Sequence, residues 1–196
     1  MATQTITRYS EARLPTPHAE FQIVVYRTGV GPEEHVALVL GDVGTGSILT
    51  RVHSSCFTGE VLGSLRCDCR AQLDTAMARI AAEGRGVIVY LVQEGRGIGL
   101  GNKVRAYQLQ EEGYDTVDAN LALGFEADGR SYDLAAGILS DLAVRSVRLM
   151  TNNPQKIAGL EASGVVVDAQ ESHWVGATEH SQSYLDVKKS KLGHLS

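Results

Sequence analysis

Gly86-Val87-Ile88-Val89-Tyr90-Leu91-Val92, followed at once by Gln93-Glu94-Gly95-Arg96-Gly97-Ile98-Gly99, is the stretch whose reading decides the fold. An uninterrupted apolar run of this kind marks a strand buried on both faces, as in a sheet covered by helices. The glycine-rich stretch behind it lets the backbone approach a ligand closely. A helical pattern then resumes over Asn102 to Glu112. Strand, glycine-rich loop and helix in that order belong to an α/β layered protein.

The same pattern extends outward from that centre. Upstream, Phe21 to Arg27, His35 to Leu40 and Ile48 to Val52 are rich in Val and Ile and separated by turn residues, so they read as strands. Ala71 to Ala82 reads as a helix with Leu73, Ala76, Met77 and Ile80 on one face, ended by Gly84 and Gly86. Downstream, Tyr132 to Leu142 is a helix with Leu134, Ile138, Leu139 and Leu142 as its stripe. Ser146 to Met150 and Val165 to Val167 are strands, and Pro154 opens a helix that Gly164 closes. Ser183 to Lys191 reads as a last helix. The hairpin-like first third and the alternating remainder predict a single-domain α/β fold, a mixed β-sheet with helices packed on its faces. Residues 1–10 read as a polar, frayed N-terminus, and 11–196 as one catalytic domain.

Composition narrows the class. The 196 residues carry 18 Lys and Arg against 23 Asp and Glu, a net charge of −5 that gives no whole-protein attraction to nucleic acid or membrane. No apolar run approaches the roughly 18 residues of a spanning helix.

Cys56, Cys67 and Cys69 are the only cysteines, and they fall within fourteen residues. Three thiolates with no fourth partner suit a catalytic zinc site, where water takes the last tetrahedral position. An odd count, with no leader-like segment read at the start, argues against a disulfide framework. Buried free cysteines are common, but Arg66, Asp68 and Arg70 are poor core surroundings. A closed structural site completed by His53 stays open at this point. Three free thiols also predict a reducing, cytoplasmic compartment.

Several linked segments together resemble GTP cyclohydrolase II. They are Arg51-Val52-His53-Ser54-Ser55-Cys56, Gly63-Ser64-Leu65-Arg66-Cys67-Asp68-Cys69, Gln93 to Leu100, Asn102-Lys103-Val104-Arg105-Ala106-Tyr107, Gly113 to Asn120, Leu123-Gly124-Phe125 and Thr151-Asn152-Asn153-Pro154. The resemblance runs from about Glu11 to Leu195. It implies a hydrolase of riboflavin synthesis that takes GTP, opens the imidazole ring at C8 and releases formate and pyrophosphate. Zinc on Cys56, Cys67 and Cys69 would bring the pKa of a bound water down to about 7, and magnesium would neutralise the phosphates. The resemblance further implies a homodimer.

The resemblance also assigns roles to residues. Arg51, Val52, His53, Ser54 and Ser55 form a nucleotide-binding segment, with His53 and Ser54 flanking the first ligand. Gln72, Glu94, Gly95 and Arg96 are nucleotide contacts, and the Glu94 carboxylate suits the guanine N1–H and N2–H pair. Arg51 and Lys156, with Thr116 and Thr151, suit the triphosphate; Lys156 lies at a helix N-terminus, where phosphate binds well. Arg130 corresponds to a residue assigned as nucleophile at the α-phosphorus, with Asp128 as its proton acceptor. Guanidinium stays protonated in nearly all settings, so an electrostatic clamp is at least as good a role for it. Tyr107 is placed to donate a proton near the zinc. Read without the resemblance, Gln72, Lys103 and Arg105 are solvated residues, Tyr107 a core aromatic, and Asp128-Gly129-Arg130 a surface ion pair in a turn.

The chain departs from the family pattern at Ser55, where Glu is usual, at Arg70 and His18, and over Asp168 to Gly176, which lacks an Arg-Val-Pro-Leu-like piece. These departures suggest a divergent paralogue. Two rivals remain: an enzyme stopping at the formamidopyrimidine nucleotide, and a zinc-stabilised nucleotide-binding protein without turnover.

Overall fold

The apolar run becomes the strand on which the sheet turns from antiparallel to parallel. The computed structural model describes residues 6–29, 31–126 and 129–175. Seven strands form one sheet: β1 (Thr7–Pro15), β2 (Glu20–Arg27), β3 (Glu34–Leu40), β4 (Ser47–Ser54), β5 (Gly86–Leu91), β6 (Ser146–Met150) and β7 (Val166–Glu171), in the order β1-β2-β3-β5-β4-β6-β7. β1, β2, β3 and β5 pair antiparallel, whereas β5, β4, β6 and β7 pair parallel. The carboxyl ends of the parallel strands therefore open beside the change of direction, the usual position for a ligand crevice in such sheets.

Alternation along the central strands splits the core into two layers. Ile88, Leu49 and Met150 pack with Phe21 under α2 (Cys69–Glu83), whose Ala76 and Ile80 are fully buried. Val87, Val89, Val52 and Leu149 face the opposite way, against Ile138 and Leu139 of α5 (Asp133–Asp141) and Leu160 of α6 (Pro154–Ala162). α2 ends at Gly84, where φ is +80° and the amide donates to Ile80 O at 3.0 Å; only glycine takes that conformation without strain. Asn153 caps α6 by accepting from Gln155 N at 2.9 Å, with Pro154 at the first turn. Two short helices, α1 (Phe57–Glu60) and α4 (Thr116–Ala122), and a longer one, α3 (Gly99–Glu111), complete the described fold.

One sequence expectation is corrected here. Residues 7–10 are not frayed but belong to β1, a mostly exposed edge strand held by backbone pairing to β2. The Arg27 guanidinium lies 3.3 Å from the Tyr9 ring centre, and Arg8 Nη2 reaches Asp141 Oδ2 at 2.8 Å. Two boundaries also shift: β7 runs on to Glu171, and α3 begins at Gly99. The helix expected over Ser183 to Lys191 lies outside the described residues. Among the described residues, no helix is long and apolar enough to cross a membrane.

Candidate active site and metal centre

β4 ends in Ser54, and the chain turns through Cys56 into α1. Cys67 and Cys69 return to the same place at the start of α2. The three Sγ atoms lie within 4.8 Å of one another, Cys56 and Cys67 being 3.6 Å apart. Sulfurs bonded to one tetrahedral zinc at about 2.3 Å stand about 3.8 Å apart, so this triangle fits the ion. Gly59 completes the cradle. A Cβ there would lie 2.7 Å from Cys67 Sγ and 3.2 Å from Cys56 Sγ, so only glycine leaves the sulfurs their room. His53 is not a fourth ligand: its Nε2 is 2.8 Å from Glu60 Oε1, and its ring stacks on Tyr90, which donates to Glu60 Oε2 at 2.6 Å. Among the described residues the group of potential ligand atoms that converges here is Cys56, Cys67 and Cys69, with neither ring nitrogen of His53 in it, which removes a site closed by His53.

The electrostatics favour thiolate. Lys103 Nζ donates to Cys56 Sγ at 3.1 Å and to Glu94 Oε1 at 2.7 Å. Hydrogen bonds from Cys67 and Cys69, joined by the Lys103 ammonium, pull the Cys56 thiol far below its usual range. The same contact with Cys56 pushes Cys67 and Cys69 up. Burial opposes the Lys103 charge but is outweighed by the bonds to Glu94 and Cys56, so its pKa rises. Lys103 is 14 % exposed in its side chain, which corrects its reading as a solvated cation; Arg105 is exposed as expected.

A cavity of about 640 Å³ opens from the sulfurs, a size suited to a small-molecule ligand. Of the residues singled out in sequence, Arg51, His53, Ser54, Ser55, Gln72, Glu94, Gly95, Arg96, Tyr107, Thr116, Arg130, Thr151 and Lys156 line it with the cysteines. Val52 contributes its carbonyl, which accepts from Lys156 Nζ at 2.6 Å. Asp128 lies outside the described residues. Gly129 N donates to Arg96 O at 3.2 Å, tying the Arg130 loop to the glycine-rich turn, where Arg96 itself takes φ +64°.

The cations at this cavity are built in. Arg51 is 6 % exposed; it donates from Nη1 to Met150 O at 2.7 Å and from Nη2 to Gln72 Oε1. Burial lowers its pKa to about 10, which leaves it charged at neutral pH. Gln72 is not solvated, since its Nε2 also donates to Asp68 Oδ2 at 2.6 Å. Lys156 is 4 % exposed at the start of α6, beside Thr151. Tyr107 is half-buried at the cavity wall, with its hydroxyl 3.2 Å from Thr58 Oγ1, itself 3.7 Å from Cys56 Sγ.

Glu94 has other partners than expected. Oε1 accepts from Lys103 Nζ and Gly95 N, and Oε2 from Phe57 N at 2.6 Å. A carboxylate offers about four acceptor sites, so a two-pronged grip on guanine would require one present donor to let go. Sequence reasoning missed Glu60, Lys103 and His173 as members of the site. A lysine four residues before Tyr107, on the same helix face, was the available signal for Lys103.

Comparison with known proteins agrees with this geometry. The family model described as GTP cyclohydrolase II matches residues 7–172. The riboflavin biosynthesis protein RibBA of Bacillus subtilis (strain 168) is 53% identical over 195 residues, covering 98% of this chain and 49% of that protein. RibBA of Salinispora tropica is 54% identical over 188 residues, covering 95% and 47%. The chain thus spans about half the length of the curated relatives it matches. Among solved structures, RibBX from A. baumannii, a two-domain 3,4-dihydroxy-2-butanone 4-phosphate synthase, superposes with a TM-score of 0.52 at 22% identity, covering 87% of this chain and 41% of that one. That likeness speaks to the fold alone. With the family model matching most of its length and relatives above half identical along nearly all of it, the chain belongs to the GTP cyclohydrolase II family.

Proposed function

We propose that this chain hydrolyses GTP with zinc, opening the guanine imidazole ring at C8 and releasing formate and pyrophosphate to leave a diaminopyrimidinone ribosylamino phosphate. The observation that carries the reading is one cavity that brings three convergent sulfurs together with cationic side chains, Arg51, Arg130 and Lys156 among them, in its wall. Cys56, Cys67 and Cys69 would hold zinc, which when bound supplies an activated water against the purine.

The protein's own groups do the rest. Hydrogen bonds from Cys67 and Cys69, joined by Lys103, hold Cys56 as a thiolate, and Lys103 also fixes Glu94 at the base-binding end. Buried Arg51 and Lys156, braced by Met150 O and Val52 O, present charge to the phosphates without having to be ordered first. Magnesium on the triphosphate would share that load. Arg130 meets the α-phosphate as a clamp on developing charge, which suits a group that stays protonated; Asp128 would act beside it. Burial raises the Tyr107 pKa, so its hydroxyl keeps its proton at neutral pH and can deliver it to the opening ring. Thr116, Thr151, Gln72, Ser54, Ser55, His53, Gly95 and Arg96 complete the nucleotide contacts. Free thiols support a reducing cytoplasm and the family resemblance a homodimer; the pathway served is riboflavin synthesis.

The test is incubation of zinc-loaded protein with GTP and magnesium, with formate and pyrophosphate measured and the nucleotide product weighed by mass spectrometry. Release of both in equal amounts is expected. Pyrophosphate without formate, and a product heavier by one formyl group, would mean that turnover stops at the formamidopyrimidine; neither product would mean a binding protein.

A further inference from the structure

The stretch after β7, Ser172-His173-Trp174, enters the cavity wall through His173 and Trp174. Thr151 N donates to Glu171 O at 3.0 Å, and His173 N donates to Asn152 Oδ1 at 3.0 Å, so the segment is fastened to the Thr151–Asn153 turn. His173 is 3 % exposed.

Its ring is held in one tautomer. Nε2 lies 2.9 Å from Gln72 O, and a carbonyl only accepts, so Nε2 carries the hydrogen. Burial, reinforced by the charge of Arg51, lowers the pKa to about 3 and keeps the ring neutral. Nδ1 then bears a lone pair. It is buried and has no hydrogen-bond partner among the described residues. A buried acceptor left without a donor is costly, so this one calls for a donor from the ligand.

The nature of that donor follows from the surroundings. Ionised phosphate oxygens only accept, so they cannot satisfy Nδ1. Arg51, whose charge acts on His173, is a natural phosphate partner. The donors next to the phosphates on a nucleotide are the sugar hydroxyls. The geometry points to His173 as a specificity-determining residue whose Nδ1 accepts a hydrogen bond from a ribose hydroxyl of the bound nucleoside triphosphate. This rests on the nucleotide reading above and deepens it: the chain would distinguish ribonucleotides from deoxyribonucleotides through His173.

The experiment compares equilibrium binding of GTP, 2′-deoxyGTP and 3′-deoxyGTP to the zinc-loaded full chain in magnesium-free buffer, for the natural protein, H173Q and H173N. The natural protein should bind GTP roughly 5- to 10-fold more tightly than at least one deoxy form, the size of one neutral hydrogen bond. H173Q can still donate to Gln72 O, so it should fold, yet it should lose that preference by weakening GTP alone. H173N, with an acceptor close to the Nδ1 position, should keep part of it. A structural role would weaken all three nucleotides together, and that result, or a natural protein indifferent to both hydroxyls, overturns the assignment. Absence of formate release with the binding preference intact would sink the proposed reaction and leave this inference standing.

Discussion

Gly59→Ala tests the metal cradle with a single methyl group. Gly59 lies in α1 and its φ is not in the left-handed region, so the backbone tolerates alanine. In the metal-free chain the change should be near neutral, because alanine's helical advantage over glycine, about 1 kcal/mol, offsets the cost of moving the sulfurs aside. The added Cβ would nevertheless stand 2.7 Å from Cys67 Sγ, 3.2 Å from Cys56 Sγ and 3.5 Å from Cys69 Cβ. Free sulfurs can swing aside. Sulfurs fixed about 3.8 Å apart on one ion cannot. The overpacking cost of about 1–3 kcal/mol should therefore fall on the metal-loaded state, which weakens zinc affinity by roughly 5- to 150-fold. Competition against a chromogenic zinc chelator reads the affinity, and urea unfolding of the metal-free chain reads the fold. Unchanged zinc affinity would refute the reasoning, since the three sulfurs would then not share an ion in the arrangement described.

Three further outcomes are expected. Lys103→Met should raise the pH at which thiolate ultraviolet absorbance develops in the metal-free protein, and a double-mutant cycle with Glu94→Gln should give a coupling of about 1–3 kcal/mol, because the pair is 14 % and 12 % exposed. Ile138→Ala, emptying a fully buried site under α5, should cost about 2–5 kcal/mol in urea unfolding while leaving zinc affinity intact. For His173 the folded pKa is about 3, below the unfolded value of about 6.5. The unfolded chain therefore binds the proton first, and stability falls as pH drops from about 6.5 towards 3. At pH 5 this amounts to about 2 kcal/mol, and H173Q should show a correspondingly flatter loss over the same range.

Local signals were the ones legible in the sequence. The uninterrupted run at β5 gave a strand covered on both faces, and Asn153-Pro154 gave a capped helix start, because both depend on neighbours in the chain. The cysteine triangle was legible for the same reason: its members lie close in sequence. β1 was not, since a polar edge strand is held by backbone pairing and leaves no alternation of apolar residues to read. The contacts that complete the site span long separations. His173 meets Gln72 across 101 residues, Lys103 meets Cys56 across 47 and Tyr90 meets Glu60 across 30. No local spacing predicts such pairings. Glu94 shows the opposite failure: its acceptor chemistry was evident, but the donors that fill it come from Phe57 and Lys103.

The central claim is that three sulfurs hold one zinc while a coordination position is kept for a lighter atom facing the cavity. Zinc-edge X-ray absorption on the loaded protein tests this most directly. The account predicts a shell of three sulfurs and one oxygen or nitrogen at one zinc per chain. A shell of four sulfurs, or a chain that binds no zinc, would contradict it.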